Sequence, residues 1–110
     1  MKNSLNKFNN KITTIDSIKF HSKKEADRYK QLKLLEKSGL IKDLVLQKRW
    51  PININEVKIC TYISDFDYYT KYGEYVCEDV KGFKKGPAWN MYRLKSKLMK
   101  AIYNINISEI

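Results

Sequence analysis

The stretch Val76-Cys77-Glu78-Asp79-Val80-Lys81 decides how this chain folds. It reads as an extended strand, and successive side chains on a strand point to opposite faces. Asp79 and Lys81 therefore project from one face together with Cys77, while Glu78 projects from the other. Just upstream, Tyr62-Ile63-Ser64-Asp65-Phe66-Asp67 reads as the end of a neighbouring strand, with Lys71-Tyr72-Gly73 as the turn between the two. Asp65, Asp79 and Lys81 then converge on one spot. Two carboxylates so placed are costly unless a divalent cation neutralises them, which is the outline of a metal-dependent phosphodiester-cleaving site.

Around this stretch, Ile41 to Trp50, Val57 to Tyr69 and Glu74 to Lys81 are short runs rich in β-branched and aromatic residues, interrupted at Pro51 and at 53–56. Three such runs in succession predict an antiparallel meander. Before them, Ser22-Lys23-Lys24-Glu25 is a capping-box pattern, followed by Ala26, Tyr29, Leu32 and Leu35 at helical spacing and closed by Gly39, which predicts a helix over 22–38. After them, Gly82, Gly86 and Pro87 mark a loop, and Met91, Leu94, Leu98 and Ile102 recur at the spacing of a second helix. A last strand is expected from Ile105 to Ile110, and the crossover is long enough for it to run parallel to a neighbour. Residues 1–15, rich in Asn and Lys, predict a flexible basic arm, which leaves 16–110 as one domain. The expected class is α/β, a mixed sheet of about four strands flanked by helices in the order α-β-β-β-α-β.

The 110 residues suffice for one modest core. Against 12 Asp+Glu stand 22 Lys+Arg, a formal charge of +10 spread over several segments, which predicts an anionic partner. The plainer alternative is a solvated basic surface. Cys60 and Cys77 are the only cysteines and His21 the only histidine, without the spacing of a zinc site. By strand parity the two cysteines face apart, so the expectation is two reduced thiols. No apolar run reaches membrane-spanning length and the start lacks the apolar core of a secretion signal, so the expectation is a soluble, cytoplasmic protein with no membrane partner.

Taken alone, Asp79 and Lys81 are explained by a salt bridge on a solvated face. Three features favour chemistry instead: Gly82 lets backbone approach a ligand, Lys84 and Lys85 add charge, and Asp65 lies across the turn. In that reading Asp65 and Asp79 ligate Mg²⁺ or Mn²⁺, the Val80 carbonyl completes the shell, and Lys81 positions or activates the attacking water. Asp67 shares parity with Asp65 and is expected to face the loop. Glu25 is accounted for by the capping box, yet it borders the core-facing stripe, so capping and site membership both stay open. Lys95 flanks Met91 and Leu98, so its stem can lie along the core edge while its ammonium reaches the active face. With Lys23, Lys24, Lys84 and Lys85 it makes up the candidate nucleic-acid contacts. Arg93, Lys97 and Lys100 read as a solvated stripe, and Trp50, Trp89 and Tyr92 as core or rim aromatics. His21 reads as a neighbour of the cap.

A helix carrying Glu25, an Asp at a strand end (Asp65), Asp-x-Lys in the next strand (Asp79, Val80, Lys81) and then a basic helix resemble the PD-(D/E)xK nuclease superfamily. The runs Phe20 to Ala26, Tyr62 to Phe66 and Glu78 to Gly82 look more narrowly like a family of small phage-encoded proteins within it, over residues 18 to 110. The resemblance implies a restriction-endonuclease-like core and a metal-dependent endonuclease, with Glu25, Asp65, Asp79 and Lys81 as its active set and Glu25 joining Asp65 and Asp79 at the metal. Ser64 stands where the motif has Pro. The helix followed by Leu46-Gln47-Lys48 is also similar to the nuclease subunit of certain transposition systems, which points to Gln47 at a site rim. The implied partner is DNA, branched DNA included, with RNA left open; a homodimer would offer two sites to two strands. The alternative is a binding protein that keeps the fold without cleaving.

Overall fold

The computed structural model describes residues 12–82 and 84–110. The chain begins there with a hairpin, β1 (Thr13–Ile15) and β2 (Ile18–Phe20), whose two turn residues, Asp16 and Ser17, both have positive φ. That is the twist a two-residue hairpin demands. Residues 13–15 are thus strand where a flexible arm was expected, and residues 1–11 of that arm lie outside the described residues.

Helix α1 (Lys23–Lys37) follows. Ser22 Oγ accepts from the Glu25 amide at 3.1 Å, as the capping pattern predicts, and Ala26, Tyr29 and Leu32 are its buried stripe. The next strands are β3 (Ile41–Leu46), β4 (Arg49–Ile54), β5 (Val57–Ile63), β6 (Phe66–Thr70) and β7 (Tyr75–Asp79). Helix α2 (Pro87–Tyr103) and the short β8 (Ser108–Glu109) complete the chain.

The main sheet has the order β3-β6-β7-β8, antiparallel except for the parallel pair β7-β8. A mixed four-stranded sheet with a parallel last strand is what the sequence predicts. The expected meander of three strands needs correction. Each of its first two members is two strands, because the chain leaves the main sheet at Gln47 (φ +53), runs out and back as the ribbon β4-β5, and rejoins at Asp65. Where the two arms part, the Gln47 amide donates to the Asp65 carbonyl and the Ser64 amide to the Lys48 carbonyl, both at 3.1 Å. Pro51 lies inside β4 and does not break it, since an edge strand can spare an N–H.

The sheet separates two cores. On one face Tyr29 and Leu32 of α1, with Phe20 of β2, pack against Ile41, Phe66 and Tyr68. On the other α2 packs Tyr92 and Met99 against Trp50, Ile52, Tyr62 and Cys77. Alternation along β7 sends Glu78 to the α1 face and Asp79 to the α2 face, and both are buried. Among the described residues no helix is long and apolar enough to cross a membrane.

Candidate active site

Asp65 stands where the ribbon rejoins the sheet, and its backbone is tied on both sides: its amide donates to the Glu78 carbonyl at 3.0 Å, and its carbonyl accepts from Gln47. Its side chain reaches across to β7, where Oδ2 accepts from the Val80 amide at 2.7 Å. Asp79, 7% exposed, is held by the Tyr62 hydroxyl on Oδ2 at 2.6 Å and the Lys81 ammonium on Oδ1 at 2.9 Å. Lys81 itself lies just past β7, its amide bonded to the Ile110 carbonyl at 3.2 Å and its ammonium 3.5 Å from the centre of the Tyr92 ring. A cation against an aromatic face in a half-dry site is held firmly.

Burial pushes the Asp65 carboxyl up to about 7, and the neighbouring Glu25 carboxyl adds to the rise. Burial also raises Asp79, opposed by its bonds to Tyr62 and Lys81, with the charge of Asp65 adding to the rise. Glu25 and Asp79 are thus each within electrostatic reach of Asp65. Glu25 holds the cap as well: its Oε1 accepts from the His21 amide at 3.4 Å. The structure therefore unites Glu25, Asp65, Asp79 and Lys81, with Val80 between the last two, and leaves Glu25 both positions to serve.

The donor set is all oxygen, the chemistry that Mg²⁺ and Mn²⁺ prefer. The residues present that would hold such an ion are Asp65, Asp79 and Glu25 with their carboxylates and Val80 with its carbonyl. Among the described residues no three acidic, His or Cys side chains are drawn together as a finished cage.

The remaining basic candidates divide. The Lys24 ammonium donates to the Lys81 carbonyl at 2.6 Å, and the Lys95 ammonium to the Thr61 carbonyl at 3.2 Å, so both flank the site. Lys95 reaches the active face as its position on α2 predicts. Lys23 turns to solvent in an ion pair with Asp27, Lys84 pairs with Glu109, and Lys85 is exposed. Asp67 is not loop-facing: it is 2% exposed inside β6 and accepts from Ser64 Oγ and the Tyr75 hydroxyl. Cys60 and Cys77 are free thiols, and burial lifts Cys77 to about 12, out of the range of a reactive thiolate.

Tyr62 and Tyr92 are the site residues that the sequence reading did not assign. Their signal was present: each places a hydroxyl-bearing ring on an apolar face, and a buried tyrosine hydroxyl needs a partner. In the fold those partners are Asp79 and, for Tyr92, Glu109 at 2.9 Å.

A cleft of about 340 Å³ opens beside this group, lined by Tyr62, Ile63, Asp79, Lys81, Met91 and Lys95. A larger cavity of about 470 Å³ lies between α1 and the first hairpin, and its two acids are already engaged, Asp16 by the Tyr29 hydroxyl and Glu36 by Lys33. Fold and cleft together define a small α/β protein with a buried acid-and-lysine centre on a basic surface. The chain belongs to the family described as Protein of unknown function (DUF1064), which it matches over residues 5–109. No curated protein and no solved structure matches it.

Proposed function

We propose that this protein is a metal-dependent endonuclease with a restriction-endonuclease-like core, hydrolysing phosphodiester bonds in DNA. The observation that carries the reading is the Asp79–Lys81 pair lining an open cleft together with Lys95, with Asp65 held on the Val80 amide between them in sequence, Glu25 beside Asp65, and Lys24 on the Lys81 carbonyl. A structural salt bridge alone accounts for Asp79 and Lys81 but leaves Asp65 as a second carboxyl buried within reach, where burial disfavours its charge.

Bound between the carboxylates, Mg²⁺ or Mn²⁺ would supply Lewis acidity at the scissile phosphate and offset the charge that develops there. Lys24, Lys95 and the remaining surface charge draw the phosphate backbone into the cleft. Lys81, freed from Asp79, places its ammonium where a phosphoryl oxygen or the attacking water lies, and the Tyr92 ring keeps that ammonium from swinging away. Tyr62 fixes the Asp79 carboxylate in one orientation.

A second reading, binding without cleavage, is favoured by one observation: both oxygens of Asp79 already have protein partners. Incubation of the purified protein with plasmid, linear and four-way-junction DNA, in Mg²⁺ or Mn²⁺ and in chelator, separates the two. Strand scission that needs the metal supports the nuclease. Retention of DNA without scission under every condition supports the binding protein.

A further inference from the structure

Tyr92, which lines the cleft of Lys81, also lines another concavity of about 270 Å³. Its aromatic wall is Trp89, half-buried, with its ring centre 5.4 Å from that of Tyr92 and tilted 31° to it. Arg93 and Lys97 follow Trp89 at four and eight residues, so α2 presents all three along one face, and the hydroxyl of Ser96 lines the same hollow. Lys84 closes it from the preceding loop, 5.8 Å from the Trp89 ring centre. The single acid here, Glu109, is spent: Lys84 lies 3.4 Å from one oxygen and the Tyr92 hydroxyl donates to the other. Arg93 and Lys97 make no ion pair or hydrogen bond among the described residues. The hollow is therefore an aromatic wall ringed by net positive charge, joined through Tyr92 to the centre that holds Lys81.

We propose that this hollow is a subsite for an unpaired nucleotide of the bound strand, one base stacked on Trp89 and its phosphate between Arg93 and Lys97. A flat aromatic face accepts any base that is free of its partner, and a duplex keeps its bases stacked inside. The protein therefore selects nucleic acid with a single-stranded stretch beside the bond it addresses. This rests on the nuclease reading above and narrows it to frayed, gapped or flapped substrates.

The test is fluorescence-anisotropy binding in chelator, where cleavage cannot intervene, using short single-stranded DNA, the same sequence as RNA, and a blunt DNA duplex. Trp89→Leu is expected to weaken single-strand binding at least roughly fivefold, from the known worth of one base on one aromatic. Duplex affinity should change less than about twofold, because its attraction comes from phosphate contacts. Trp89→Phe should recover most of the loss, which separates stacking from a folding defect, and Arg93→Gln should lower the salt dependence of both forms by about one counterion. Unchanged single-strand affinity in Trp89→Leu overturns the subsite, and so does an equal loss for single strand and duplex. A chain that binds single strands through Trp89 yet never cuts would sink the nuclease reading alone. A chain that cuts, with Trp89→Leu binding like wild type, would sink only the subsite.

Discussion

Glu78 and Asp79 are adjacent in β7 and serve opposite sides of the molecule. Glu78, 1% exposed, is clamped on the α1 face by Arg28, with Nε 2.8 Å from one oxygen and Nη2 2.5 Å from the other, and by the Tyr68 hydroxyl. Asp79 turns to the α2 face and the cleft. The two carboxylates differ by one residue of parity, and that assigns one to the architecture and the other to the candidate chemistry.

Removing one partner of the buried clamp strands the other. Arg28→Ala should therefore destabilise the fold by about 3 kcal/mol or more, the usual cost of an uncompensated buried charge. Urea denaturation measures it. A loss below about 1 kcal/mol would show that Glu78 finds other partners or takes up a proton.

The raised Asp65 value makes the metal-free protein sensitive to pH. The unfolded carboxyl titrates near its ordinary value of about 3.9 and the folded one near 7, so between these limits the folded state holds more protons than the unfolded. Its contribution is fully present below the unfolded value and lost as pH rises through about 7. Melting temperature in chelator should fall over that window, Asp65→Asn should flatten the fall, and Mn²⁺ should stabilise most at the alkaline end. An Asp65→Asn curve parallel to wild type would assign the slope to another group.

Much of this was legible in the sequence. The Ser22 cap, the stripe of α1 and the parallel last strand all follow from local pattern, whereas β7 ends at Asp79, so Lys81, expected to share its strand, reaches it from the loop beyond. The ribbon was not legible, because Leu46 to Trp50 and Thr61 to Phe66 keep strand character straight through the points where the chain leaves and rejoins the sheet. The break at Gln47 is marked by a positive φ in a residue other than glycine. The hairpin turn at Asp16-Ser17 is hidden for the same reason, since it lacks glycine yet adopts positive φ, whereas the Asn55-Glu56 turn falls in the interruption read at 53–56. Lys24 on the Lys81 carbonyl and Lys81 against Tyr92 join segments distant in sequence, which periodicity does not report.

Lys81→Ala should abolish cleavage and leave DNA affinity within about tenfold, since one charge among many is a small share of the phosphate attraction. Turnover and binding measured on one preparation decide it. Near-normal turnover would make the contact with Asp79 a structural salt bridge.

Glu25→Gln separates cap from chemistry. Glutamine keeps an oxygen for the His21 amide and leaves Ser22 Oγ on the residue 25 amide, so stability should change by less than about 1 kcal/mol. Turnover should collapse if the charge belongs to the site. Full activity would leave Asp65, Asp79 and Lys81 as the whole centre.

Calorimetric titration of Mn²⁺ into the wild type, Asp65→Asn and Asp79→Asn tests the proposed sharing of a divalent cation by Asp65 and Asp79. Saturable binding by the wild type is expected, weakened at least about tenfold in either variant, a loss seen when even supporting partners of a metal site are disturbed. Unaltered binding by Asp79→Asn, or none by the wild type, would contradict it.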